Sequence, residues 1–117
     1  MRSYKDLIVW QKSMQLVKFV YNLTDSFPKK EEFSLSLQLR RSAVSIPSNI
    51  AEGYGRNSTG DYIRFLQIAR GSLYEVQTQI EIAIMLNFCK SDHIAKLNDE
   101  CTEISKMLTS LVKKIGS

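Results

Sequence analysis

The sequence predicts an all-α chain, folded as an antiparallel up-down-up-down four-helix bundle whose second helix is kinked at Pro47. Three observations predict it. Apolar residues recur every third or fourth position in four separate segments. Proline, glycine and small polar residues punctuate the chain between those segments. Five glycines and two prolines in 117 residues are too few for a turn-rich β fold.

The first helix is expected over residues 6–26. Asp6 is the candidate N-cap, and Phe27-Pro28 ends the helix because the residue before proline is pushed out of the α region. Eleven of the seventeen residues 7–23 are apolar. A single bundle-facing stripe uses three or four per two turns, so a second face of this helix is expected to meet another subunit. The second helix is expected over residues 30–54, with Leu35, Leu39, Ala43, Ile46 and Ile50 inward. Pro47 removes one backbone donor there and predicts a kink near residues 43–46. Gly53-Tyr54-Gly55 is expected to stop the helix as glycine does past a C-terminus.

The linker of residues 55–60 is the most polar stretch. Ser58 or Thr59 is the candidate N-cap of a third helix over residues 60–87, with Asp61 in its first turn. Tyr62, Leu66, Ala69, Leu73, Val76, Ile80, Ala83 and Asn87 alternate at spacings of 4 and 3, a heptad seam on a helix roughly 40 Å long. Phe65, Ile68, Ile82 and Leu86 form a second apolar row beside it. Ser91 is the candidate N-cap of the fourth helix, in which Ile94, Leu97, Cys101, Ile104, Leu108, Leu111 and Ile115 keep the same spacing. The surplus apolar rows of helices one and three predict self-association. Trp10, Phe19, Phe65 and Ile68 are the expected contacts.

One domain over residues 1–117 fits the length. A hydrophobic fraction of 44% with 24% charged residues sets disorder aside. No run approaches the ~18 apolar residues of a membrane span. The opening Met1-Arg2-Ser3-Tyr4-Lys5-Asp6 lacks a leader pattern, so a cytoplasmic location is expected. Cys89 and Cys101 read as free thiols of a reducing compartment, since two thiols and the lone His93 fall short of a zinc site.

Nothing in the sequence assembles a nucleophile with a base, a carboxylate pair or a phosphate loop. The expectation is a non-enzymatic protein with no cofactor, no metal and no small-molecule substrate. Net charge is +4, and its excess sits early: residues 1–27 and 28–57 each carry +2, residues 58–89 carry −1 and residues 90–117 carry +1. That favours a polyanionic partner, RNA or DNA. Arg40, Arg41, Arg56, Arg64 and Arg70, then Lys12 and Lys18, are the candidate phosphate contacts, because arginine forks suit phosphate oxygens. Tyr54 and Tyr62 are candidate stacking platforms for unpaired bases. The alternative reading of these residues is a protein-interaction scaffold with no nucleic-acid role. Arg41, Ser45, Ser48 and Glu52 share one helical face, and two readings stand for them. One is a packing network whose serines bond the carbonyl freed by Pro47. The other is a polar groove that accepts a partner segment or a phosphate.

The chain also resembles a known family. The opening Tyr4-Lys5-Asp6-Leu7-Ile8-Val9-Trp10-Gln11-Lys12 looks like its N-terminal signature. The run Gln38-Leu39-Arg40-Arg41-Ser42-Ala43-Val44-Ser45-Ile46-Pro47-Ser48-Asn49-Ile50-Ala51-Glu52-Gly53 is similar to its central motif. Phe65-Leu66 and Ala69-Arg70-Gly71-Ser72-Leu73-Tyr74-Glu75 match its third-helix motif. The family is the bacterial four-helix bundle proteins named for the intervening sequences of 23S ribosomal RNA. Accessory proteins of diversity-generating retroelements look similar too. The resemblance implies a four-helix bundle, a ring-shaped homopentamer and association with nucleic acid. It implies no catalytic residues.

Overall fold

The computed structural model describes residues 3–117. Met1 and Arg2, part of the opening read for a leader pattern, lie outside the described residues. Four helices carry the fold: α1 (Ile8–Asp25), α2 (Leu35–Tyr54), α3 (Thr59–Met85) and α4 (Ala95–Gly116). Among the described residues there is no strand. Each helix packs on its chain neighbour, and α4 returns against α1, which closes the bundle. The contacts run antiparallel. Ser45 of α2 meets Ser72 of α3, whereas Gly53, further along α2, meets Phe65, which lies earlier in α3.

The predicted seams are the core. Leu66, Ala69, Leu73, Val76, Ile80 and Ala83 of α3 are fully buried, as are Leu39, Ala43, Ile46 and Ile50 of α2 and Leu97, Cys101, Ile104 and Leu108 of α4. Burying each larger side chain among them stabilises the fold by about 1.5–3 kcal/mol.

The helix ends depart from the sequence reading, each for a local reason. Asp6 does not cap α1. It closes a capping box with Ser3 around a short 3-10 turn (Tyr4–Asp6), and α1 begins at Ile8 with no side-chain cap. A second 3-10 turn, Lys29–Glu31, delays α2 until Leu35. Ser58 does cap α3, accepting from the Asp61 N–H at 3.1 Å. Ser91 is not a cap but opens a third 3-10 turn (Ser91–Ile94), which holds His93 outside α4.

Asn87 leaves the α3 seam altogether. Its φ of 62° is left-handed, and around it the Asn87 N–H donates to the Ile84 carbonyl while the Phe88 N–H donates to that of Ala83. This paired wrap satisfies carbonyls left open at a helix end. It also turns Phe88 onto Phe27, ring centroids 5.8 Å apart.

Two expectations for α2 also change. Pro47 lies buried inside α2, and the serines beside it bond partners other than the carbonyl it frees. Ser48 bonds the Val44 carbonyl, and Asn49 bonds that of Ser45. Neither takes the Ala43 carbonyl, the one four residues before the proline that loses its usual donor. Gly53 is a buried interior residue of α2, not its stop. A Cβ there would lie 2.8 Å from the Phe65 Cβ, so the glycine lets α2 and α3 touch. Gly55 ends the helix in the ordinary right-handed region.

Candidate nucleic-acid interface

The seven candidate cations do not gather on one surface. Arg40 is a clamp between α1 and α2. Its guanidinium pairs with Asp25 at 2.8 Å, donates to the Thr24 hydroxyl at 2.7 Å and lies 4.6 Å from the centroid of the Tyr21 ring. Lys12 pairs with Glu103 at 3.1 Å and ties α1 to α4. Arg70 is half-buried on α3, with its Nε enclosed and without a hydrogen-bond partner. Hydrogen bonding to Ser105, then to Arg70, together with the Arg70 charge, holds the neighbouring Tyr74 phenol below its ordinary pKa. Arg41 and Lys18 are exposed and in no ion pair among the described residues. They project from the α1–α2 side.

Arg56 and Arg64 do come together, at the turn between α2 and α3. Both guanidinium carbons lie over the Phe65 ring, at 4.7 and 4.6 Å from its centroid. Phe65 is on α3 nearly two turns from its start, opposite Gly53, so the close approach of the helices presents the ring to both arginines. Cation–π attraction holds each charge over the ring. Each has a carboxylate near it in sequence: Arg56 donates to Glu52 at 3.1 Å, and Asp61 sits at a longer 3.7 Å from Arg64. Both arginines stay about half exposed. The C-terminus of α4 ends beside them, since Gly116 lies against Ile63, and so Lys113 and Lys114 sit exposed at the same end of the bundle.

Tyr54 and Tyr62 are not open platforms. They stack on each other edge to face, with centroids 6.2 Å apart, and burial followed by the Tyr54 neighbour pushes the Tyr62 phenol up. The Ser45 face is closed as well. Ser45 and Ser72 hydroxyls bond each other at 2.8 Å across the helices, and Asn49 bonds Ser45 at 2.9 Å. Of the two readings of this segment, the packing network is the one the contacts favour.

The expected subunit contacts also divide. Phe65 is only 7% exposed and belongs to the chain's own interior, covered by its two arginines. Trp10 is half-buried against Tyr4, their rings 5.2 Å apart edge-on. Phe19 faces α4 on the opposite flank of α1, beside Lys96, Leu97 and Glu100. Ile68 is 41% exposed.

The thiols are poor nucleophiles. Burial, and then the Glu100 charge, push Cys101 up to about 12, and burial raises Cys89. Among the described residues no group of three or more His, Cys, Asp or Glu is placed to hold a metal ion. No helix there is long and apolar enough to cross a membrane.

An apolar groove of about 500 Å³ between α1 and α4 went unforeseen. Leu7, Ile8, Met107 and Leu111 line it, with Lys106 and Lys114 at its rim. Its signal was in the α4 seam, which continues to Leu111 and Ile115 past the point where α1 begins.

No curated protein matches the chain. A crystal structure of a protein of unknown function from the S23 ribosomal protein family of Bacteroides thetaiotaomicron VPI-5482 is similar to it. That similarity has a TM-score of 0.82 and 30% sequence identity over 91% of this chain and 96% of the other. The family described as 23S rRNA-intervening sequence protein matches residues 5–110. The match spans all four helices, and the chain belongs to that family.

Proposed function

We propose that this protein is a self-associating, non-catalytic helical module that binds structured RNA through sequence-independent phosphate contacts. One observation carries the RNA reading: two arginines, each about half exposed, converge on one aromatic ring at the α2–α3 turn, with two lysines of α4 at the same end. Two forks held this way suit adjacent phosphates of a folded strand. The family's name points to the same class of partner. Arg40, Arg70 and Lys12 serve mainly to hold helices together in this reading.

Fluorescence anisotropy with a folded RNA tests it. Binding is expected at low salt and should weaken steeply as salt rises. Replacing Arg56 and Arg64 by alanine should flatten the dependence on log salt by about 2. Arg41→Ala should change it less. A protein that leaves the RNA free even at low salt removes the reading.

The α1–α4 groove supports a second reading, a scaffold that docks an apolar protein segment. Capture of one protein from nuclease-treated lysate, insensitive to salt and lost in Met107→Asp, favours the scaffold. RNA binding with no such capture sets it aside.

A further inference from the structure

Buried hydroxyls in this chain mostly find acceptors. Ser13 and Thr24 donate to carbonyls one turn back, and the Ser72 hydroxyl bonds that of Ser45. Ser36 and Ser42 make no such bond among the described residues. Ser36 is only 5% exposed, and it lines a cavity of about 280 Å³ between the end of α1 and the start of α2. A buried hydroxyl without a partner costs free energy. One that borders a cavity can recover that cost by bonding a ligand.

Other donors stand beside it. Ser34 gives α2 no side-chain cap. The Leu35 N–H reaches Glu31 only at 3.4 Å, and the Gln38 N–H takes the Ser34 carbonyl. The N–H groups of Ser36 and Leu37, between them, have no partner among the described residues. Open N–H groups in a first helical turn favour an anion. Arg40 follows Ser36 by one turn and lines the same cavity. Its Nε and Nη2 are committed to Thr24, Tyr21 and Asp25, while Nη1 bonds none of the described residues. Lys29 and Glu32 at the rim are exposed and in no ion pair among the described residues. Phe27 and Pro28 supply an apolar wall. Lys29 and Arg40 balance Asp25 and Glu32 in charge. A bare anion would meet two carboxylates there, and a bare cation two basic groups. A molecule that carries both charges complements the set.

We infer that this cavity binds a free α-amino acid with an apolar side chain. The ligand's carboxylate accepts from the Ser36 hydroxyl, from Arg40 Nη1 and from the open N–H groups of α2. Its ammonium meets Glu32, and its side chain lies against Phe27 and Pro28. The site is at the opposite end of α2 from the α2–α3 turn, about 30 Å away along a helix of 20 residues. It is therefore separate from the surface of Arg56 and Arg64, and it stands whether or not RNA binds there.

Isothermal titration of the full chain with L-leucine tests this. Saturable binding is expected, together with a rise in Tm. N-acetyl-L-leucine and L-leucinamide each lack one of the two charges and should bind at least about tenfold more weakly. Ser36→Ala removes a hydroxyl that bonds nothing in the chain, so urea unfolding without ligand should match the wild type. L-leucine affinity in that variant should fall about tenfold. Glu32→Gln should weaken L-leucine by a similar factor and leave N-acetyl-L-leucine unchanged, because only the free amino acid brings an ammonium to that side chain. L-leucine that neither binds nor raises Tm overturns the inference. So does an affinity for L-leucine that Ser36→Ala leaves intact. L-leucinamide or inorganic phosphate binding as tightly as L-leucine overturns it as well, since either would show that one charge suffices.

Discussion

Along α2 and α3 small residues face one another: Ser42, Ser45 and Gly53 on one side, Ala69 and Ser72 on the other. Hydroxyls there come within 2.8 Å, and one glycine has no room for a methyl group. Along α1 and α4 the facing residues are Leu7, Ile8, Met107 and Leu111, and a groove of about 500 Å³ stays open between them. Both pairs of helices follow the same 3-4 apolar spacing. The difference shows that spacing decides which face turns inward, while side-chain size decides how near the backbones come.

The sharpest way to break this contrast is to enlarge the tight seam. Gly53→Val should cost about 3 kcal/mol, because the Phe65 Cβ and the Tyr62 carbonyl stand at the limit of contact. Ile8→Ser in the open seam should stay within about 0.5 kcal/mol, since Ile8 is 60% exposed. Urea unfolding with an unchanged m-value checks both, and equal losses would erase the distinction. Arg40→Ala should cost about 2 kcal/mol, since it removes the bonds to Asp25, Thr24 and the Tyr21 ring together. Arg40→Lys should recover little of it. Ser45→Ala should cost about 1 kcal/mol by leaving the Ser72 hydroxyl without its partner across the seam. In Ser72→Ala the further loss on changing Ser45 should be smaller, and a double-mutant cycle measures that coupling. Smallest is Lys12→Ala in the α1–α4 seam. Its pair with Glu103 is half exposed on the acid side, so about 0.5 kcal/mol is expected, vanishing in high salt.

The bundle was legible because burial follows the seam almost residue by residue: Leu66 to Ala83 on α3 and Leu97 to Leu108 on α4 are inside. The ends were less legible. Asn87 fits the heptad count, yet its short polar side chain tolerates the left-handed backbone that a turn requires. Asp6 and Ser91 are good caps by type, but the chain uses 3-10 turns at both places. The candidate site was legible only as residue types. Arg40 finds Asp25 fifteen positions away, and Lys12 finds Glu103 across the bundle. Such pairings arise from tertiary packing, and local spacing carries no record of them. Arg56 and Arg64 were nearer to being readable, because a short turn brings both to Phe65.

The connection between α2 and α3 is only residues 55–58. Closing so short a loop loses little chain entropy, whereas the two outer helices must be gathered from further off. The hairpin of α2 and α3 is therefore expected to assemble first, with α1 and α4 added to a surface already formed. Transition-state analysis would then find Leu66 and Ile50 largely structured and Leu108 late. Equal values across all four helices would instead mean that the whole bundle condenses at once.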